Sequence, residues 1–297
     1  MISYFIVYMS FFLSYMMFYP SLVISRTFGA IDLPGKRKIH TVPTARAGGF
    51  SFFAAFSIVL IVLPIDINLK IPLLLSGVLI FLVGFLDDTT SITPFVKLAG
   101  QFLAFTVYLF TSELLGYDLS AAKGILSAIW IIFTTNATNL IDGLDGLAGG
   151  ICTCEALCLA AVALIFGNKD VLICALLIFW SVLGFLPRNF PRARIFMGDC
   201  GALFLGFTLS VLSSRLVIEN NSIVCAISIL LIFRVPTYDT NISIVRRLFR
   251  RQNPFKADKE HFHHHLISHG FSKECATLLL ITVSLIFGFL GILLSII

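Results

Sequence analysis

Charge is scarce in this chain. Asp, Glu, Lys and Arg make up 12% of its 297 residues, against roughly 25% in an ordinary soluble domain. Length alone would suit two soluble domains. The shortage of charge, with 58% hydrophobic residues and a mean hydropathy of +0.98, excludes that class. Paired cysteines are also missing. The seven cysteines are an odd number and form no C-x-x-C pair, and Cys152, Cys154, Cys158 and Cys174 lie inside apolar runs. That excludes a disulfide framework and reads as small buried hydrophobes rather than a zinc or redox centre. The first apolar run lacks a basic leader and a cleavage site before about Ser25, so it is expected to remain as a membrane helix. Low-complexity linkers and internal repeats are absent too.

What is present is a series of apolar runs. Ten candidate spans lie near 3–25, 47–65, 71–86, 97–115, 121–140, 147–166, 171–187, 201–218, 222–238 and 276–297. The fold class expected is therefore all-α: a polytopic membrane bundle of about ten transmembrane helices, forming one integral-membrane domain over 1–297. The third and seventh runs are short for a bilayer whose hydrocarbon core is about 30 Å thick.

Basic residues set the orientation. With the N-terminus outside, the inside loops are 26–46, 87–97, 188–200 and 239–275. Sixteen loop-borne Lys and Arg then lie inside, against Lys70, Lys123, Lys169 and Arg215 outside, a strong positive-inside bias. Both termini face outward, and every unusual polar motif falls at the cytoplasmic end. That coincidence argues for one composite cytoplasmic site.

The densest motif is Asn136 to Gly150, in which Asn136, Asn139, Asp142 and Asp145 recur every three residues. On a helix such spacing keeps them near one face. Carboxylates and amides at a membrane helix end are costly without a ligand, which suits a metal-bound, phosphate-rich substrate; a polar hairpin is the plainer alternative. Upstream, Asp32 to Gly49 sets Lys36, Arg37, Lys38, His40 and Arg46 before a Gly-Gly at a helix start. Cations and free helix N–H groups there suit phosphate; a plain positive-inside loop is the alternative. Asp87 and Asp88 end an apolar helix, with Lys97 following. Paired anions at a helix C-terminus call for a divalent cation or a shared proton. Asp199 stands between Gly198 and Gly201 at a helix mouth, where Mg²⁺ takes one or two carboxylates plus substrate phosphates; ordinary N-capping is the alternative. Past Pro236 and Asp239 comes a basic face, Arg246, Arg247, Arg250 and Arg251, suited to anionic lipid. His261, His263, His264 and His265 follow, able to meet phosphate or sugar.

Taken together, these five strings resemble the polyprenyl-phosphate N-acetylhexosamine-1-phosphate transferases, the glycosyltransferase family 4 enzymes of the WecA-like and teichoic-acid-initiating branch, with the peptidoglycan enzyme MraY as a relative. The motifs match in order from Asp32 to Phe271. Asp87, Asp88, Asn136, Asn139, Asp142, Asp145, Asp199, His261, His263 and His264 stand at matching positions. Ala45 replaces a common proline, Ala202 a common serine, and His265 is an additional histidine. Leu266 after the histidines departs from the MraY-type pattern and points away from the peptidoglycan precursor.

The resemblance implies that a UDP-amino sugar and undecaprenyl phosphate meet at the cytoplasmic face of the bacterial inner membrane. They would give undecaprenyl-diphospho-N-acetylhexosamine and UMP, the first step of an O-antigen, teichoic acid or similar surface polymer. It assigns Mg²⁺, with Mn²⁺ as the substitute, to Asp199 and Asn139. Asp87 and Asp88 would deprotonate or orient the lipid phosphate, or act through the metal. Asp142 and Asp145, with the Leu144 backbone, would contact the nucleotide, while Lys36, Arg37, Lys38 and Lys97 would meet phosphates. His261, His263, His264 and Arg194 would read the sugar or its diphosphate, with His40 and Asn136 among the substrate-binding set. Membrane lipid is an expected partner, a homodimer is left open, and nucleic acid is not expected. Three other classes weigh less. A CDP-alcohol phosphotransferase lacks support because Gly149 stands where its motif needs Arg. A transporter would place its acids near mid-membrane, and an inert scaffold would not need five intact aspartates.

Overall fold

The computed structural model describes residues 2–33, 43–117, 119–250 and 261–297. Among them the chain is helical almost throughout. Helices α1 (Ile2–Met16) and α2 (Phe18–Thr27) form one apolar stretch bent by 46°. Two short strands, β1 (Ile31–Asp32) and β2 (Thr44–Ala45), pair antiparallel and lead into α3 (Gly49–Val62). Then follow α4 (Ile67–Thr90), α5 (Pro94–Leu114), α6 (Ala121–Ile141), α7 (Leu147–Ile165), α8 (Lys169–Asn189) and α9 (Gly198–Asn220). The broken pair α10 (Ile223–Ile232) and α11 (Arg234–Phe249) bends by 76°, and α12 (Phe262–Ser268) and α13 (Lys273–Ile296) close the chain. Among the described residues seven helices are long and apolar enough to cross a membrane, or up to nine if each bent pair is one span. The protein is a multi-pass helical membrane protein.

Several boundaries differ from the sequence expectation for physical reasons. The third run extends to 24 residues because Asp66 caps its start by accepting from Asn68 N, and because the helix runs through Asp87 and Asp88 to Thr90. At 1.5 Å per residue it reaches about 36 Å, more than a bilayer core. The seventh run gains Lys169 and Asp170 through the Asn168 cap and reaches Asn189. The ninth does not continue straight past Phe233 but turns sharply into α11. The second run yields only the 14 residues of α3.

The core is organised around α9, which is buried along nearly its whole length from Gly198 to Leu216. In lipid, helices associate by close packing of small residues. Here Gly49 and Gly201 face each other backbone to backbone, Gly84 abuts the Asp199 carbonyl, and Gly206 abuts Thr135 and Thr138. Those approaches bring α3, α4 and α6 onto α9. They set the C-terminal ends of α4 and α6 beside the N-terminal end of α9, where the polar residues gather.

Candidate active site

The centre of the polar end is the ammonium of Lys97, on the first turns of α5. Its Nζ lies 2.9 Å from Asp87 Oδ2, 2.9 Å from Asn139 Oδ1 and 2.7 Å from Asp199 Oδ2. Asn139 Nδ2 in turn donates to Asp199 Oδ1 at 2.8 Å. Three helix ends thus converge on one cation. Thr93 caps α5 by accepting from Val96 N, with Pro94 at the first helical position, so the segment after the left-handed Ser91 re-enters the bundle with Lys97 facing α4.

Asp88 works differently from its neighbour. Its carboxylate accepts from Asp199 N at 2.9 Å and from Cys200 N at 3.0 Å, and Arg46 lies 3.3 Å away. It caps the N-terminus of α9 from another helix, with its side chain fully shielded from solvent. Arg46 is held in its charged form: burial opposes the charge, but Asp88, Asp199, Asp32 and Asp87 outweigh it.

The signature loop after α6 is tied down by the segment that follows α8. Gly146 has φ +74°, and its N–H donates to Asn189 Oδ1 at 2.9 Å. Asp145 Oδ2 accepts from Ala193 N at 3.0 Å. The loop therefore turns back over a cavity of about 480 Å³ whose wall includes Arg46, Asp142, Leu144, Asp145, Asp199, His264 and Lys273. Burial first, then the charges of Asp199 and Asp88, pushes the Asp142 carboxyl up to about 7.

Sequence-derived candidates separate by where the fold places them. Asp142, Leu144, Asp145, Asp199 and His264 line the cavity, and Asp87, Asn139 and Lys97 stand behind Asp199. Asn136 and Arg194 stand apart: Asn136 exchanges two hydrogen bonds with Gln101, and Arg194 is exposed. His261 and His263 are buried. His261 Nδ1 pairs with Asp239 Oδ2 at 2.7 Å, while Asp239 Oδ1 accepts from Phe262 N at the start of α12. His263 packs against Gly143, and burial, followed by His264 and His261, lowers its pKa to about 4. Lys36, Arg37, Lys38 and His40 lie outside the described residues.

One expectation is overturned. The Gly48-Gly49 N–H groups are not free for an anion: they donate to the carbonyls of Phe196 and Met197 at 2.9 and 2.8 Å. Their work is to clamp the first loop onto the α9 entrance. Conversely, Gln101, Asn189 and Asp239 emerge as supports that the sequence reading did not place in the site. Their partners are distant in the chain, so no local pattern marked them.

The donor set fits a hard divalent cation. Carboxylate oxygens of Asp87 and Asp199 and the Asn139 amide oxygen converge, already arranged around a positive charge. Among the described residues no group of three or more His, Cys, Asp or Glu gathers as a closed metal cage. Mg²⁺ does not require one, because it keeps waters and binds through one or two carboxylates plus phosphates.

A membrane bundle with a carboxylate-rich cavity at one helix end defines a class: an integral-membrane enzyme acting on a polar, charged substrate beside the bilayer. Residues 71–217 match the model of glycosyl transferase family 4. A Bacillus subtilis protein described as a probable undecaprenyl-phosphate N-acetylglucosaminyl 1-phosphate transferase is 33% identical, over 92% of this chain and 79% of its own. The undecaprenyl-phosphate alpha-N-acetylglucosaminyl 1-phosphate transferase of Thermotoga maritima is 32% identical over 88% of this chain and 81% of its own. The Escherichia coli protein of that name is 26% identical over 91% and 78%. The chain belongs to the polyprenyl-phosphate N-acetylhexosamine-1-phosphate transferase family within glycosyl transferase family 4.

Proposed function

We propose that this protein transfers N-acetylglucosamine 1-phosphate from its UDP-linked form to undecaprenyl phosphate at the cytoplasmic face of the bacterial inner membrane, starting a cell-surface polysaccharide. The relatives' names support the sugar and the lipid. The observation that carries the reading is the acid-lined cavity of about 480 Å³ set directly against the Lys97 cluster.

A phosphate oxygen of the lipid attacks the sugar-bearing β-phosphorus of the donor. The bond from that phosphorus to the bridging oxygen breaks, and UMP departs with the electron pair. Phosphoryl transfer depends mostly on positioning and charge neutralisation. Asp199 and Asn139, joined by Asp87, would hold Mg²⁺, which supplies positive charge to the diphosphate. Arg46 and Lys273 on the cavity wall meet phosphate oxygens, and Asp142 and Asp145 orient the nucleotide. Asp87, bonded to Lys97 behind Asp199, is the carboxylate assigned to orient the lipid phosphate. Asp88 is occupied by the α9 N–H groups and acts through the position of Asp199.

A route for the lipid adjoins this site. A groove of about 390 Å³ runs between α11, α12 and α13, lined by Tyr238, Phe262, Leu266, Leu280, Val283 and Phe287 with Arg234. Helix α12 presents His264 to the polar cavity and Phe262 and Leu266 to this groove. An amphiphile lying there has its chain in the groove and its phosphate toward the cavity.

The test is UMP release by the purified protein given undecaprenyl phosphate, a panel of UDP-amino sugars and Mg²⁺, with and without EDTA. Metal-dependent UMP from UDP-N-acetylglucosamine, abolished in a folded Asp199→Ala variant, is the expected result. Folded wild-type protein releasing UMP from none of the donors sinks the reading.

A further inference from the structure

A second groove lies at the other end of the bundle. It is about 490 Å³ in volume and is bounded by α6, α9 and α10. The catalytic cluster sits at the C-terminal end of α6 and the N-terminal end of α9. Lys123 sits at the N-terminal end of α6, and Ser222 and Ile223 begin α10 just past the C-terminal end of α9, so this groove belongs to the opposite leaflet.

Its wall is largely apolar. Leu126, Val217, Ala226, Ile229 and Leu230 line it, and the polar groups among them are already satisfied. Trp130 Nε1 donates to Ser213 Oγ at 3.0 Å, and Ser214 Oγ donates to Ser127 Oγ at 2.8 Å. The interior therefore offers nothing to a polar ligand. Its outer end is different. Lys123 lies there on the first turn of α6, and no carboxylate of the described residues pairs with it. Glu219, the nearest acid along α9, is held by Arg215 at 2.7 Å. Ser120 makes no side-chain cap, so the first N–H groups of α6 add positive character beside the lysine.

From Lys123 to Trp130 the groove follows about 10 Å of helix, within the depth of one leaflet, about 15 Å. An apolar slot of this depth, with a cation at its mouth that no carboxylate of the described residues pairs, has the charge and polarity of a receptor for an anionic amphiphile. We propose that it binds one anionic phospholipid of the leaflet opposite the active site, with an acyl chain along Leu126, Ile229 and Leu230 and the headgroup phosphate at Lys123.

The test is native mass spectrometry of the detergent-purified full chain, titrated with phosphatidylglycerol, phosphatidylcholine of identical acyl chains, or undecaprenyl phosphate. The wild type should retain one phosphatidylglycerol with about fivefold preference over phosphatidylcholine, the contribution of one lysine at an anionic surface. Lys123→Ala should abolish the preference, and Ala226→Trp, which fills the slot, should lower retention of both phospholipids. Thermal midpoints measured on the same samples establish that the variants are folded. Equal retention of the two phospholipids by the wild type, or an unchanged preference in Lys123→Ala, overturns the proposal. So does tighter retention of undecaprenyl phosphate at this groove, lost in Lys123→Ala, because that assigns the site to a different lipid.

Discussion

Lys97 shows how much a single side chain organises. A cation with three oxygen partners inside a protein holds together groups that would otherwise repel. Replacing it with methionine leaves Asp87 and Asp199 facing each other. Lys97→Met should lower stability by about 3 kcal/mol and transfer by about 100-fold or more, read as the thermal midpoint and the UMP release rate. Adding Asp87→Asn should recover part of the midpoint but not the rate, because it removes repulsion without restoring the cation. Asp142 supplies a pH signature. Its folded-state pKa of about 7 lies above the ordinary 3.8, so the folded protein holds that proton more tightly than the unfolded chain. The resulting stability is complete below the unfolded value and is lost as pH rises through about 7. The thermal midpoint should therefore fall between about pH 4 and about pH 7 and level off above that, and Asp142→Asn should flatten that slope.

At the scale of elements, the site depends on how closely α4 approaches α9. A Cβ on Gly84 would strike the Asp199 carbonyl and the Cys200 Cα, both backbone atoms. Neither can yield without displacing the entrance of α9, and with it the Asp199 carboxylate. About two turns earlier on the same face of α4, a Cβ on Gly77 would lie 3.3 Å from the Phe204 ring, which can give slightly. Gly84→Ala should cost about 1–3 kcal/mol and at least tenfold in UMP release, whereas Gly77→Ala should stay within about 0.5 kcal/mol. Equal effects of the two substitutions would mean that the α4–α9 contact does not position Asp199. Helix α12 illustrates the same dependence: seven residues long, it is anchored by Asp239 at its start and divides polar cavity from apolar groove.

Over the whole molecule the two ends of the bundle differ in chemistry. One gathers aspartates, Lys97 and the histidines; the other holds Lys123 and the Arg215–Glu219 pair. The excess of basic residues at the first end argues that it faces the cytoplasm. The chain carries its own probe of this. Six of its cysteines are buried, and Cys275, near the cavity residue Lys273, is exposed. A membrane-impermeant maleimide should modify Cys275 in inverted membrane vesicles and leave it unmodified in intact cells. The reverse pattern would turn the proposed topology over.

Composition and periodicity by themselves determined that this is a helical membrane protein. A run of apolar residues long enough to cross a bilayer has few other stable states, because every backbone polar group must be satisfied within it. The recurring Asn139, Asp142 and Asp145, the Asp87-Asp88 pair and Asp199 were legible as a site because ionisable residues at membrane helix ends are too costly to keep without a use. Their division of labour was not legible. Asp87 and Asp88 are adjacent and chemically identical, yet one bonds Lys97 and the other caps α9. The histidines look equivalent, but only His264 lines the cavity while His261 pairs with Asp239. Gly48 and Gly49 looked ready for an anion and instead hold the Phe196–Met197 carbonyls. Each of those outcomes depends on which distant backbone or side chain arrives alongside. Only the packing of α3, α4 and α6 onto α9 settles that, because a hydrogen bond is set by distance in space and not by position in the chain.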